Sequence, residues 1–147
     1  NFDAKVPESL RVKIKARGKN LYETVIMASL IEREVQTSGD MSLVAGVLWK
    51  RMEIGMPLQV DATLAYLTGK KTGEITNDDK LIDSPYNTYR YRGLPPTPIA
   101  NPGFRAIQAA ADPAQSNYLY YLSAPTGETI FSETLDKHNE NRAKYLR

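Results

Sequence analysis

The sequence predicts an α+β fold: a helix-rich single domain with a small antiparallel hairpin. Two stretches, at about residues 21–36 and 41–52, carry apolar side chains at helical spacing, and the tyrosine-rich run 118–123 faces a second β-prone run across a turn. A chain of 147 residues is long enough to bury one core without disulfides. We therefore expect a buried central helix, a two-stranded sheet and a long proline-rich loop lining a cleft.

Residues 1–20 form a basic segment that precedes the first predicted helix. Its cations alternate with other residues from Arg11 to Lys19, and the apolar residues Val12 and Ile14 fall within this alternation. A period of two is typical of extended structure. We predict a linker or an edge strand here and place the start of the main domain, 21–147, at residue 21.

The central helix is predicted over residues 21–36, with Asn20 as its N-cap. Almost every residue from 25 to 31 is apolar or small, which favours burial on all sides. Glu32 and Glu34 follow at its C-terminal end. Positions two apart differ by roughly 200° around a helix axis, so one cleft can receive only one of these side chains. The spacing does not choose between them.

Shorter elements follow the central helix. Residues 37–40 are predicted to break the chain, with Gly39 as the stop and Asp40 or Ser42 as the next cap. A second amphipathic helix is predicted over 41–52, an extended piece over 56–60, and a short helix over 62–67 capped by Asp61 and ended by Gly69. Residues 70–83 form a polar excursion.

Residues 86–103 are predicted to be a rigid loop. Four prolines fall between positions 95 and 102, which excludes a helix or a central strand. Long loops in compact domains tend to be functional, so this loop is a candidate wall for a site. A helix over 104–111, the hairpin, and a last helix capped by Thr134 or Ser132 and ending near Tyr145 complete the prediction.

The sequence lacks the residues that several classes of chemistry require. The sequence has no cysteine, a single histidine (His138), no metal-ligand spacing, no Gly-x-Ser-x-Gly elbow and no glycine-rich phosphate loop. We expect no metal and no cofactor, and a net charge of +2 is too small to indicate nucleic acid. Carboxylates, amides and tyrosines remain, which suit carbohydrate. The candidate sugar-binding residues are Gln59, Asp61, Tyr86, Asn87, Tyr89 and Asn139.

An ordered series of blocks extends from about residue 27 to the C-terminus and resembles the catalytic domain of the endolytic murein (peptidoglycan) transglycosylases. The blocks are Ala28-Ser-Leu-Ile-Glu-Arg-Glu34, Trp49-Lys-Arg-Met52, Ile54-Gly-Met-Pro-Leu-Gln-Val-Asp61, Tyr86-Asn-Thr-Tyr89, Gly93-Leu-Pro-Pro96, Pro98-Ile-Ala-Asn-Pro-Gly103, Tyr118-Leu-Tyr-Tyr121 and His138-Asn139.

The resemblance implies a lyase that cuts peptidoglycan strands between N-acetylmuramic acid and N-acetylglucosamine and leaves 1,6-anhydro-muramyl ends. It implies Glu34 as the single acid/base, with its pKa raised by partial burial, and Glu32 as a supporting or alternative residue. Under the same resemblance Gln59, Asp61, Tyr86, Asn87, Tyr89 and Asn139 line the saccharide cleft, and residues 93–96 form its wall.

Two alternatives stay open. A muramidase would hydrolyse the same glycan with Glu34 and Asp61 as its two carboxylates, and a non-catalytic module would only bind it. The resemblance further implies an upstream single-pass membrane anchor, a domain facing the cell wall in the periplasm or outside the cell, and cell-wall synthesis enzymes as partners beside the glycan strands.

Overall fold

The computed structural model describes residues 6–146, which form six α-helices, two short 3-10 turns and one two-stranded sheet. The elements are α1 (Glu8–Ala16), α2 (Leu21–Glu34), α3 (Ser38–Glu53), α4 (Asp61–Thr68), the turns Thr72–Glu74 and Asp79–Leu81, α5 (Phe104–Ala111), β1 (Tyr120–Ser123), β2 (Thr129–Ser132) and α6 (Leu135–Tyr145). The strands pair antiparallel, with Tyr121 opposite Phe131. The helix-rich α+β prediction is confirmed.

Helix α2 lies at the centre of the core, as predicted. Met27, Leu30 and Ile31 have no exposed surface, and α2 packs mainly against α5 and α3. Asn20 caps α2 by accepting a 2.8 Å hydrogen bond from the amide of Glu23. Because α2 is enclosed along most of its length, its C-terminal turn is held in a fixed position at the edge of the core.

The prediction of a linker or edge strand in the basic segment is wrong for residues 8–16, which form helix α1. Leu10 and Ile14, one helical turn apart, are buried against the core, whereas Val12 is 58% exposed. The alternation of charged and apolar residues is also found in strands. The segment forms a helix because Leu10 and Ile14, at positions i and i+4, match the helical period and are buried on one face. The part of the basic segment at residues 1–5 lies outside the described residues.

Two helix starts also differ from the prediction. Thr37 caps α3 by accepting a 3.2 Å hydrogen bond from the amide of Asp40, so Gly39 lies inside the first turn and is not a stop. Asp61 is the first residue of α4, and its carboxylate accepts a hydrogen bond from the Tyr89 hydroxyl instead of capping the helix. Residues 56–60 form no strand. A better local cap, Thr37, therefore replaced the predicted cap of α3, and a partner elsewhere in the fold, Tyr89, holds the side chain that was predicted to cap α4.

The proline-rich loop is irregular, as predicted, and three hydrogen bonds fasten it along α2. The Tyr22 hydroxyl donates to the carbonyl of Pro96 (2.6 Å), and the amide of Ile99 donates to the Ser29 hydroxyl (3.1 Å). The amide of Gly103 donates to Glu32 Oε1 (2.7 Å). These bonds tie the loop to the helix that carries Glu34.

None of the helices within residues 6–146 has both the length and the apolar character needed to cross a membrane.

Replacing Gly46 with Ala is expected to destabilise the fold by about 2 kcal/mol or more. Gly46 lies in α3 where a Cβ atom would come 2.2 Å from the carbonyl oxygen of Ala114, a backbone atom that cannot move without its neighbours. The matched control is Gly39→Ala, because nothing lies within 4 Å of a Cβ there. Urea denaturation measures both, and a Gly46→Ala variant as stable as the parent would contradict this packing.

Candidate active site

A polar groove of about 690 Å³ opens where the C-terminal end of α2 meets the hairpin, the start of α4 and α6. It is lined by both charged and aromatic side chains: Arg33, Glu34, Arg51, Gln59, Asp61, Thr72, Gly73, Ile75, Lys80, Tyr89, Tyr121, Leu122, Ser123, His138, Arg142 and Leu146. A groove of this volume accommodates a ligand of several hundred daltons. Within residues 6–146 no three His, Asp or Glu side chains come together in a way that could hold a metal ion.

Glu34, the last residue of α2, extends from the core into this groove. Its Oε1 accepts a 2.5 Å hydrogen bond from the hydroxyl of Tyr121 on β1. The other oxygen, Oε2, accepts no hydrogen bond from residues 6–146. One carboxylate oxygen is therefore held by the protein, and the second is available to a ligand in the groove.

The pKa of Glu34 is raised from its ordinary value of 4.5 to about 7, chiefly by burial. The negative charge of Asp61 also contributes to this rise, whereas the hydrogen bond from Tyr121 and the positive charge of Arg51 act to lower the pKa. Desolvation is the largest of these effects, because the carboxyl group is surrounded by protein even though the residue keeps some surface toward the groove. A carboxyl group with this pKa can both donate and accept a proton near neutral pH.

Arg51 supplies the nearby positive charge and is itself buried, with 5% of its surface exposed. Its Nε donates to the carbonyl of Leu119 (2.9 Å) and its Nη1 to the carbonyl of Leu58 (2.7 Å). Its guanidinium also lies 5.3 Å from the centre of the Tyr120 ring. These contacts join α3 to the hairpin and to the segment before α4, so they fix the relative positions of three walls of the groove.

Two tyrosines donate to the two carboxylates of the groove, Tyr121 to Glu34 and Tyr89 to Asp61. Burial, together with the neighbouring carboxylates, raises the pKa of both hydroxyls well above the ordinary value of 10. Both therefore remain protonated hydrogen-bond donors throughout the physiological pH range.

Of the eight residues predicted from the sequence, the structure brings Glu34, Gln59, Asp61 and Tyr89 together in the groove. Gln59 has a positive φ of 55°, and among the described non-glycine residues it is the one in this conformation. Its backbone is held there by a hydrogen bond from its amide to the carbonyl of Thr88 (3.2 Å). Such strained conformations often occur at functional sites, where surrounding structure maintains them.

The other four predicted residues do not line the groove. Glu32 accepts from the amide of Gly103 at the start of α5, and Tyr86 shares a 2.7 Å hydrogen bond with Thr97. Asn87 is fully buried, and its Nδ2 donates to the carbonyls of Lys80 and Ile82. Asn139 is exposed on α6. Residues 93–96 of the predicted wall are also absent from the lining, to which the proline-rich loop contributes Tyr89.

Sequence reasoning did not select Arg51, Tyr121, His138 or Arg142, although all four line the groove. Two signals in the sequence could have indicated Arg51 and Tyr121. Arg51 is a charged residue in a helix with many apolar side chains, and Tyr121 is a tyrosine on a predicted strand. Both also lie in the sequence blocks that carry the family resemblance. The His138 ring stacks on Tyr120 at 5.1 Å, and burial, followed by the charges of Arg142 and Arg51, lowers its pKa. His138 is therefore neutral at neutral pH.

Substituting Tyr121 with Phe is expected to raise the pKa of Glu34 above about 7, because the hydrogen bond that is lost favours the ionised carboxylate. An NMR titration of the Glu34 side-chain carboxyl carbon measures the shift. Tyr91→Phe is the matched control, since the Tyr91 hydroxyl donates to the exposed Asp83. A Glu34 pKa that stays constant or falls in Tyr121→Phe would show that this hydrogen bond does not stabilise the ionised form.

The sequence of this chain is similar to those of two named bacterial proteins. The chain is 40% identical over 139 residues to a Bacillus subtilis protein named endolytic murein transglycosylase, covering 95% of this chain and 39% of that protein. It is 32% identical to a Streptococcus pneumoniae protein of the same name, covering 90% of this chain and 25% of the other. The chain thus spans between a quarter and two fifths of the length of these relatives.

A solved structure agrees with the fold. The crystal structure of a YceG-like protein from Listeria monocytogenes superposes with a TM-score of 0.83 at 38% sequence identity, covering 90% of this chain and 43% of that one. The model of the YceG-like family matches residues 1–144, which includes the basic N-terminal segment. The chain therefore belongs to the YceG-like family.

Proposed function

We propose that this chain is the catalytic domain of an endolytic lytic transglycosylase, a lyase that cleaves peptidoglycan between N-acetylmuramic acid and N-acetylglucosamine. The observation that carries the proposal is the state of Glu34: one enclosed carboxyl group with a pKa of about 7, extending into an open polar groove with one oxygen unpaired within residues 6–146. The names of the B. subtilis and S. pneumoniae relatives support the same reaction.

In the first half of the reaction, protonated Glu34 donates its proton to the glycosidic oxygen as the bond from that oxygen to the muramyl C1 breaks. The leaving N-acetylglucosamine keeps the proton as a hydroxyl. Because burial keeps part of the Glu34 population protonated at neutral pH, the acid is available without an external proton source. Arg51 and Tyr121 then stabilise the carboxylate that remains.

In the second half, the C6 hydroxyl oxygen of the same muramyl residue bonds to C1, and its proton passes to the Glu34 carboxylate. The sugar closes into a 1,6-anhydro ring, and Glu34 returns to its starting state. Water takes no part, so one carboxyl group is sufficient. In this proposal Gln59, Asp61 and Tyr89, which line the same groove, bind the strand beside Glu34, while Glu32 positions α5 through Gly103.

Hydrolysis by a muramidase is the second candidate, favoured by the presence of Asp61 in the same groove. The charge of Asp61 influences Glu34, so the two carboxylates lie near each other. However, Asp61 accepts a hydrogen bond from the Tyr89 hydroxyl, which occupies one of the oxygens that a nucleophile or base would use.

Mass spectrometry of digested, purified peptidoglycan tests the proposal. A lytic transglycosylase releases fragments with 1,6-anhydro-muramyl ends, and a muramidase releases the same fragments one water heavier with reducing ends. Fragments with only reducing ends would replace the proposal with the muramidase, and absence of fragments with retained binding would favour a non-catalytic glycan-binding module. In the full-length protein we expect this domain to face the cell wall from a membrane anchor, near the enzymes of wall synthesis.

A further inference from the structure

A second groove of about 410 Å³ adjoins the first, and the two share Arg33 and Thr72. We call it the distal groove; it is lined by Arg33, Ala62, Ala65, Tyr66, Lys70, Lys71, Thr72 and Ile99. Residues 62, 65 and 66 lie on one face of α4, whose first residue, Asp61, faces the groove that contains Glu34. A chain-like ligand leaving the Glu34 groove past Arg33 therefore enters the distal groove.

The distal groove is positively charged. Its lining contains Arg33, Lys70 and Lys71 but no carboxylate. Lys70 is paired with Asp79 at 2.7 Å, whereas neither Arg33 nor Lys71 makes an ion pair within residues 6–146. Two exposed cations that line one groove raise its positive potential, so the groove is electrostatically suited to an acidic group.

The same groove presents an aromatic surface. Tyr66 is 51% exposed, and small residues of α4, Ala62 and Ala65, lie beside it and leave its ring accessible. Tyr86 packs against Tyr66 with ring centres 5.3 Å apart, and the hydroxyl of Tyr86 is held by Thr97. Tyr86 therefore supports the Tyr66 ring from the proline-rich loop, although it does not line either groove.

We infer that the distal groove binds a saccharide bearing an acidic substituent, namely a muramyl residue of the glycan strand with its acidic stem peptide. Tyr66 provides the ring on which the sugar stacks, and Arg33 with Lys71 binds the carboxylates of the stem. This inference rests on the proposed function for the identity of the glycan. It adds a preference for strands that carry stems over strands from which the stems have been removed.

Binding of defined oligosaccharides tests the inference separately from cleavage. The protein carrying Glu34→Gln is titrated with short peptidoglycan strands with and without stem peptides, alone and with Arg33→Gln and Lys71→Gln added. We expect the added pair to weaken binding of stem-bearing strands by about tenfold and to bring their affinity to that of stem-free strands. Lys15→Gln is the charge control, because this exposed cation lies outside both grooves.

The outcomes distinguish the two proposals. Stem-selective binding that depends on Arg33 and Lys71, together with absence of peptidoglycan cleavage by the parent protein with Glu34 intact, would support the distal site and overturn the proposed reaction. Equal affinity for both kinds of strand, or selectivity that survives the double substitution, would overturn the distal site whatever the enzyme does. Tyr66→Ala is expected to weaken both kinds of strand, since stacking on the sugar does not depend on the stem.

Discussion

Replacing Glu34 with Gln is expected to reduce peptidoglycan cleavage by about a thousandfold or more, while strand binding is retained. Gln has nearly the shape of Glu and keeps an oxygen that can accept the Tyr121 hydrogen bond, so the groove is preserved. Its amide is too weak an acid to protonate the leaving oxygen and too weak a base to take a proton from the C6 hydroxyl. Because the proposed reaction uses one residue for both transfers, neither half can proceed.

Glu32→Gln is the matched control for that experiment. It makes the same chemical change two residues earlier, and a Gln oxygen at position 32 can still accept from the amide of Gly103. We expect this variant to retain most of its activity. Loss of cleavage in Glu32→Gln together with activity in Glu34→Gln would exchange the two assignments. Release of 1,6-anhydro fragments, followed by mass spectrometry, is the measurement for both.

Glu34→Gln is also expected to stabilise the folded protein above pH 7. The folded protein keeps the Glu34 proton up to a pKa of about 7, whereas the unfolded chain loses it near 4.5. Between these two pKa values the folded state binds more protons than the unfolded state, so the free energy of unfolding falls as pH rises. Above pH 7 the full cost of burying the charge, about 3 kcal/mol, is present. Gln avoids that cost.

Urea unfolding of parent and variant from about pH 4 to about pH 9 measures the effect. We expect the two proteins to differ little below the unfolded pKa and to diverge as pH rises through the window, with Glu34→Gln the more stable. Glu140→Gln is the control, because Glu140 is an exposed residue of α6 paired with Lys137. A stability difference that does not change with pH would mean that Glu34 titrates as an ordinary surface carboxyl. Stabilisation with loss of activity is typical of a catalytic group that is costly to bury.

Local patterns predicted most of the helices and the hairpin. α2, α5 and α6 begin and end within two residues of their predicted bounds, because caps and breakers such as Asn20, Thr134 and Asp112 act over a few positions. The basic segment was misread because two periodicities coexisted there, and contact of Leu10 and Ile14 with the core selected the helical one. Neighbouring sequence does not contain that information.

For the candidate site too, local sequence predicted part of the arrangement and packing between distant segments decided the rest. The helical geometry of α2 allowed only one of the two glutamates to enter a cleft, and the ordered blocks indicated the family, but spacing could not decide between Glu32 and Glu34. The structure places them differently because Glu32 bonds to an amide more than 70 residues away in sequence and Glu34 to a tyrosine 87 residues away. Long-range pairings of this kind depend on how the loop and hairpin pack.

Local residue order was thus sufficient for the class of fold, the buried helix, the family resemblance and the types of side chain that could do chemistry, since all of these follow from short-range periodicity, caps and motif order. Packing between distant segments determined which carboxyl group is enclosed, that Arg51 and Tyr121 surround it, and that Asn87 and Tyr86 support the fold outside the groove lining. The physical reason is that burial and charge proximity, which set a pKa, are properties of three-dimensional neighbours and not of neighbours along the chain.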